Sequence, residues 1–122
     1  MRIRISVGDV SLEAELNDSP TARKIASILP FEAGFQTWGD EIYFEIPVTA
    51  ELEADAKEEV SIGDLGFWPT GNAFCIFFGP TPMSRGDKIV PASAVNVVGR
   101  VLGDATRLKA VMGENKIRLE LL

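Results

Sequence analysis

The sequence has 122 residues, of which 46% are hydrophobic and 25% charged, which suits one domain with its own core and is too apolar for a disordered chain. Eighteen acidic against 12 basic residues give a formal charge of −6, which argues against nucleic acid and anionic membrane surfaces as partners. There is no histidine and only one cysteine, Cys75, so Ser-His-Asp and Cys-His catalysis, histidine-based metal sites and an intrachain disulfide are excluded.

A lone thiol fits a reducing cytoplasm. The first ten residues alternate charged and apolar side chains and do not read as a signal peptide. Nowhere do about 18 apolar residues follow one another, so no helical span is expected.

Residues 2–7 and 10–16 alternate with a period of two around Gly8-Asp9, the signature of a tight hairpin. The turn sets the register. Val7 faces Val10, Ile5 faces Leu12 and Ile3 faces Ala14, while Arg4 stands opposite Glu13 and Arg2 opposite Glu15 on the outer face. Ser19 and Pro20 then supply a cap and a first helical residue, and Ala22, Ile25, Ala26 and Leu29 form one apolar stripe up to Pro30. Phe31–Trp38 reads as one strand with a weak point at Gly34. Gly39-Asp40 turns the chain into a second strand, Glu41–Ile46, with Ile42, Phe44 and Ile46 on one face and Glu41, Tyr43 and Glu45 on the other.

Glu51, Glu53, Asp55, Glu58 and Glu59 form the one charge run. They lack the spacing and central glycine of a calcium loop and read as a solvated loop, so no metal and no cofactor is expected.

Gly63–Pro82 is the most apolar and aromatic stretch, with four of the seven phenylalanines. It reads as two strands, Leu65–Pro69 and Ala73–Phe78, around Thr70-Gly71-Asn72. Its Gly66…Gly71 spacing is not a phosphate loop, because no Lys-Ser/Thr follows and Pro69 removes an amide donor. Met83–Pro91 is an irregular loop, in which Arg85-Gly86-Asp87 reads as a chance tripeptide. Ala94–Val101 is a strand, Asp104 caps a short helix through Val111, and Lys116–Leu121 alternates again in a strand that can pair with the first.

About eight strands and two helices result, and hairpin logic makes the strands mostly antiparallel. Closure into a barrel removes the exposed edges, so the fold expected is a closed eight-stranded barrel capped by two short helices. Phe74, Ile76 and Phe78 point one way, and Ala73, Cys75 and Phe77 the other, so both faces of that strand are apolar. One face is core, and the other needs cover by a helix, a loop, a ligand or another chain. Buried in such a strand, Cys75 reads as an inert thiol. Trp38 and Trp68 stand at strand ends, where rings are often half exposed.

The order of elements resembles the cyclophilins, the barrel-shaped peptidyl-prolyl isomerases. Thr70-Gly-Asn-Ala-Phe-Cys-Ile76 is similar to their Asn-Gly-Ser-Gln-Phe-Phe-Ile segment, and Asn96-Val-Val-Gly-Arg-Val101 to their Val-Val-Phe-Gly-Lys-Val strand. Trp38-Gly-Asp-Glu-Ile-Tyr-Phe44 and the Gly63–Pro82 stretch resemble more closely a group of bacterial and archaeal cyclophilin-like proteins of unknown function. The resemblance implies a cyclophilin-like barrel as a single domain over residues 1–122.

It does not carry the activity across intact. Residues 31–47 hold no arginine where cyclophilins place their catalytic one, the family's pocket phenylalanine aligns with Cys75, and its pocket histidine aligns with Val95. The expectation is therefore a non-catalytic binding module with no catalytic residues. Its groove is built from Gln36, Trp38, Tyr43, Trp68 and Phe78, and its partner is a small molecule or short peptide. A weak peptidyl-prolyl isomerase and a homodimer formed through the apolar outer face are the alternatives.

Overall fold

The Gly8-Asp9 turn joins β1 (Arg2–Val7) to β2 (Val10–Leu16) in the register the alternation dictates, from Val7 opposite Val10 to Arg2 opposite Glu15. Along β2 every second residue is buried. The ion pairs are rearranged relative to expectation. Arg2 reaches both Glu15, at 3.4 Å, and Glu13, at 3.8 Å. Arg4 turns instead to Glu120 on the neighbouring strand, at 4.0 Å.

The computed structural model describes all residues from Met1 to Leu122. Helix α1 (Pro20–Ser27) starts where the sequence places it, with Ser19 Oγ accepting from the Ala22 amide at 3.2 Å. It ends at Ser27 with Ile28 as its C-cap, short of the expected Leu29, and buries Ala22 and Ile25 in the core. The expected strand Phe31–Trp38 is two strands. Gly34 breaks it into β3 (Phe31–Ala33) and β4 (Gln36–Thr37), which join different neighbours.

The remaining strands are β5 (Glu41–Glu45), β6 (Asp64–Trp68), β7 (Ala73–Phe77), β8 (Asn96–Val101) and β9 (Ile117–Leu121). A short 3₁₀ turn, Pro69–Gly71, and the left-handed Asn72 (φ 50°) link β6 to β7, and asparagine tolerates that conformation better than most residues. Asp104 caps the 3₁₀ helix Ala105–Val111, whose Ala105, Leu108 and Val111 are buried. The final strand pairs with β1, as the sequence suggests.

All nine strands form one antiparallel sheet in the order β3-β9-β1-β2-β8-β6-β7-β5-β4. The expected closed eight-stranded barrel is corrected to a nine-stranded curled half-barrel. Its terminal strands β3 and β4 are consecutive in the chain, so Gly34-Phe35 brings the two ends of the sheet together covalently, without a hydrogen-bonded ladder between them. The extra strand arises because Gly34 divides what the alternation reads as one element.

The concave side holds a core of 25 residues, including Ile3, Ile5, Leu65, Phe67, Phe74, Ile76 and Phe78. Phe44 bridges the ends of the sheet, with its ring 6.3 Å from Phe31 and 5.5 Å from Phe74. The second apolar face of β7 is covered by the chain itself. Val60, Ile89 and Val95 pack on Ala73, Cys75 and Phe77 in a separate small cluster. Backbone bonds hold that cover in place, between Lys57 and Val95 and from the Val60 amide to the Ile89 carbonyl at 2.9 Å. No helix is long and apolar enough to cross a membrane.

The acidic run is not wholly a solvated loop. Glu53 is half-buried and accepts from both the amide and the hydroxyl of Thr21 at the start of α1. Its own amide donates to Asn96 Oδ1 at 2.8 Å. Asn96 is itself 1% exposed and donates to Thr21 Oγ1 at 3.1 Å and to the Glu51 carbonyl at 2.9 Å. One buried asparagine thus ties the loop, the helix and β8 together. The remaining carboxylates of the run form no cluster able to hold a metal ion.

Candidate functional site

The turn at Gly39 sets the first wall of a cleft. With φ at 61°, Gly39 adopts a conformation that L side chains rarely adopt, and a Cβ there would lie 2.7 Å from the Pro80 carbonyl. The Asp40 amide donates to that same carbonyl at 2.8 Å, and the Phe78 amide donates to the Asp40 carbonyl at 2.9 Å. This seat fixes Trp38 before the turn and Glu41 after it. The Trp38 amide bonds the Glu41 carbonyl at 2.9 Å.

On β5, Tyr43 stands opposite Cys75, and Glu41 opposite Phe77. On the far side, Trp68 ends β6, and its Nε1 donates to Ser93 Oγ at 2.6 Å. Pro91, Ala92 and Val95 complete the enclosure.

Trp38, Glu41, Tyr43, Trp68, Cys75, Pro91, Ala92 and Val95 together line a cleft of about 240 Å³. Pockets for drug-sized ligands run to roughly 300–1,000 Å³, so this space suits a fragment-sized molecule or a single side chain. Gln36 lies one step outside it. Its Oε1 accepts from the Tyr43 hydroxyl at 2.7 Å, and it borders a shallower depression that shares Tyr43 and Trp68 with the cleft.

Four of the five residues expected in the groove are therefore neighbours. Trp38, Tyr43 and Trp68 form the walls, and Gln36 holds Tyr43 from behind. Phe78 is not among them. It is fully buried in the main core, on the same face of the chain as Phe74 and Ile76. The positions aligned with the cyclophilin pocket phenylalanine and histidine, Cys75 and Val95, both line the cleft.

The sequence reading missed Glu41. Period-two alternation places it with Tyr43 and Glu45 on the outer face, but the segment near residues 91–95 covers that face, leaving Glu41 only 6% exposed. Burial pushes its carboxyl up to about 7, with a hydrogen bond from Cys75 acting in the opposite direction. The Cys75 thiol has two acceptors beside it, the Glu41 carboxyl and the Ala73 carbonyl at 3.8 Å. Burial, then the Glu41 charge, raise the thiol well above its ordinary range, so it is protonated and inert. No lysine or arginine lines the cleft.

The cleft thus lies on the outer face of a curled antiparallel half-barrel. The family model described as Cyclophilin-like matches residues 1–120, and the chain belongs to that family. Among solved structures, it is similar to the hypothetical protein AF2241 from Archaeoglobus fulgidus, known from a solution structure. The two share 43% identity and a TM-score of 0.81, over 98% of this chain and 93% of the other. It is also similar to McbB, solved in complex with tryptophan, with 14% identity and a TM-score of 0.70, over 97% of this chain and 44% of that one. The likeness to McbB is one of fold alone. No curated protein matches the sequence.

Proposed function

We propose that the chain is a binding module for a small molecule, or for one side chain of a short peptide, seated in the cleft between Trp38, Tyr43 and Trp68. The observation that carries this reading is the meeting of two half-buried indoles and a phenol around a recess that no side chain of the protein fills. Such rings supply large apolar area at little conformational cost, and their polar tips are already engaged, by Ser93 for Trp68 and by Gln36 for Tyr43. The test is a titration of small aromatic fragments followed through the two indole N–H signals by NMR. Shifts confined to Trp38, Trp68 and Tyr43 are expected. Fragments that leave these signals unmoved at millimolar concentration overturn the reading.

A second reading, weak peptidyl-prolyl isomerase activity, draws support from Cys75 and Val95, which stand in the cleft where cyclophilins have pocket residues. The isomerase reaction calls for a donor to the imide, and the lining offers no guanidinium. A protease-coupled proline-peptide assay separates the two. A rate well above the uncatalysed one that is lost in Trp68→Ala favours the enzyme.

A further inference from the structure

The cleft contains one group that an apolar pocket does not need. Glu41 is 6% exposed, lines the recess and takes part in none of the ion pairs of the molecule. No buried side-chain oxygen lacks a partner. The hydrogen-bond partner of Glu41 is the Cys75 thiol of β7, and Tyr43 stands two residues along its own strand in the same lining. The adjacent Asp40 is already paired with Lys109, at 3.7 Å. A carboxyl is therefore held at the base of an aromatic recess with no cation of its own. If the position served packing alone, glutamine or an apolar residue would serve it without desolvating a charge.

We propose that the cleft selects a small organic cation, an ammonium head on an apolar body, with the ammonium against Glu41 and the body between Trp38, Tyr43 and Trp68. This deepens the binding reading above and rests on it. The two halves of the site act on different parts of the ligand. The carboxylate accepts a charge-assisted hydrogen bond from an ammonium N–H, and the ring faces pack against the apolar body. With Glu41 near 7, its carboxyl is partly protonated at neutral pH, and an arriving ammonium favours the ionised form, so binding releases a proton to solvent. The net charge of −6 draws cations towards the molecule and repels anions of the same shape.

The test uses the whole chain and three probes of one shape: 2-phenylethylamine, 2-phenylethanol and 3-phenylpropionate. Each is titrated at pH 8 by calorimetry and NMR against wild type and Glu41→Gln. The amine is expected to bind wild type at least tenfold more tightly than the alcohol, with the propionate weakest. In Glu41→Gln the amine is expected to lose its advantage over the alcohol. At pH 7 the heat of amine binding to wild type should vary with the ionisation enthalpy of the buffer, reporting the released proton. Equal binding of amine and alcohol to wild type overturns the cation proposal and leaves the cleft a neutral binding site. An amine preference that survives in Glu41→Gln also overturns it. If none of the three binds, both readings fall together.

Discussion

Trp68 Nε1 donates to Ser93 Oγ at 2.6 Å, and this bond links the end of β6 to the segment that roofs the cleft. The indole forms a wall of the cleft and of the depression beside it, so its orientation decides the shape of both. Ser93→Ala removes one exposed hydrogen bond that holds the indole in place, about 0.5–1.5 kcal/mol of ordering that a ligand must then supply from its own binding energy, up to roughly tenfold in affinity. The expected result is weaker fragment binding and a red-shifted tryptophan emission with the thermal midpoint almost unmoved. A large drop in the midpoint would make the bond a structural one instead.

Glu41 gives the protein a pH dependence of defined sign. Its carboxyl titrates near 7 when folded, against an ordinary value of 4.5. Between these values the folded state holds the extra proton, so stability falls as pH rises and the loss is complete above about pH 8. The full difference is on the order of 3 kcal/mol. Glu41→Gln is expected to be more stable than wild type at pH 8 and to match it near pH 4.5, as read by urea denaturation at the two pH values. A stability difference that does not change with pH would contradict this assignment.

Asn96 is the keystone of the polar contacts behind α1. Replacing it with alanine strands the Glu53 amide and the Glu51 carbonyl and removes a donor to Thr21. Groups left without partners in buried positions each cost about 1–3 kcal/mol, so Asn96→Ala should lose about 2–4 kcal/mol by chemical denaturation. Amide exchange should accelerate first in residues 51–56 and at the start of α1.

Phe78 separates stability from binding. It is fully buried in the main core and does not line the cleft, so Phe78→Leu should cost about 1–3 kcal/mol while leaving fragment affinity unchanged. Trp68→Phe should do the reverse, weakening the fragments with little effect on the midpoint. A shared loss in both variants would mean that core and cleft are coupled through β7.

Local chemistry made part of this molecule legible in its sequence. Gly8-Asp9 and the strict alternation beside it define a hairpin in full, because turn and register are both local. The parity of β7 was equally readable. Phe78 shares its face with Phe74 and Ile76, and that spacing argues for the core where it lies, against the groove in which it was expected.

What the sequence could not reveal depends on distant segments. Glu41 reads as a surface carboxylate because nothing local says that residues 91–95 return to cover it. Gly34 reads as a weak point in one strand, but which neighbours the two halves join depends on how the sheet curls. Ser93 carries no periodic signal, and only the packing of the loop beside Trp68 gives it a role.

The joining of the two sheet ends through Gly34-Phe35 also bears on self-association and on how a peptide could be held. The outermost strands are three and two residues long, too short to present the row of free amides and carbonyls on which an incoming extended segment would build. Edge-to-edge growth into fibrils lacks a template at those ends. An extended peptide likewise finds no backbone ladder to join at those ends.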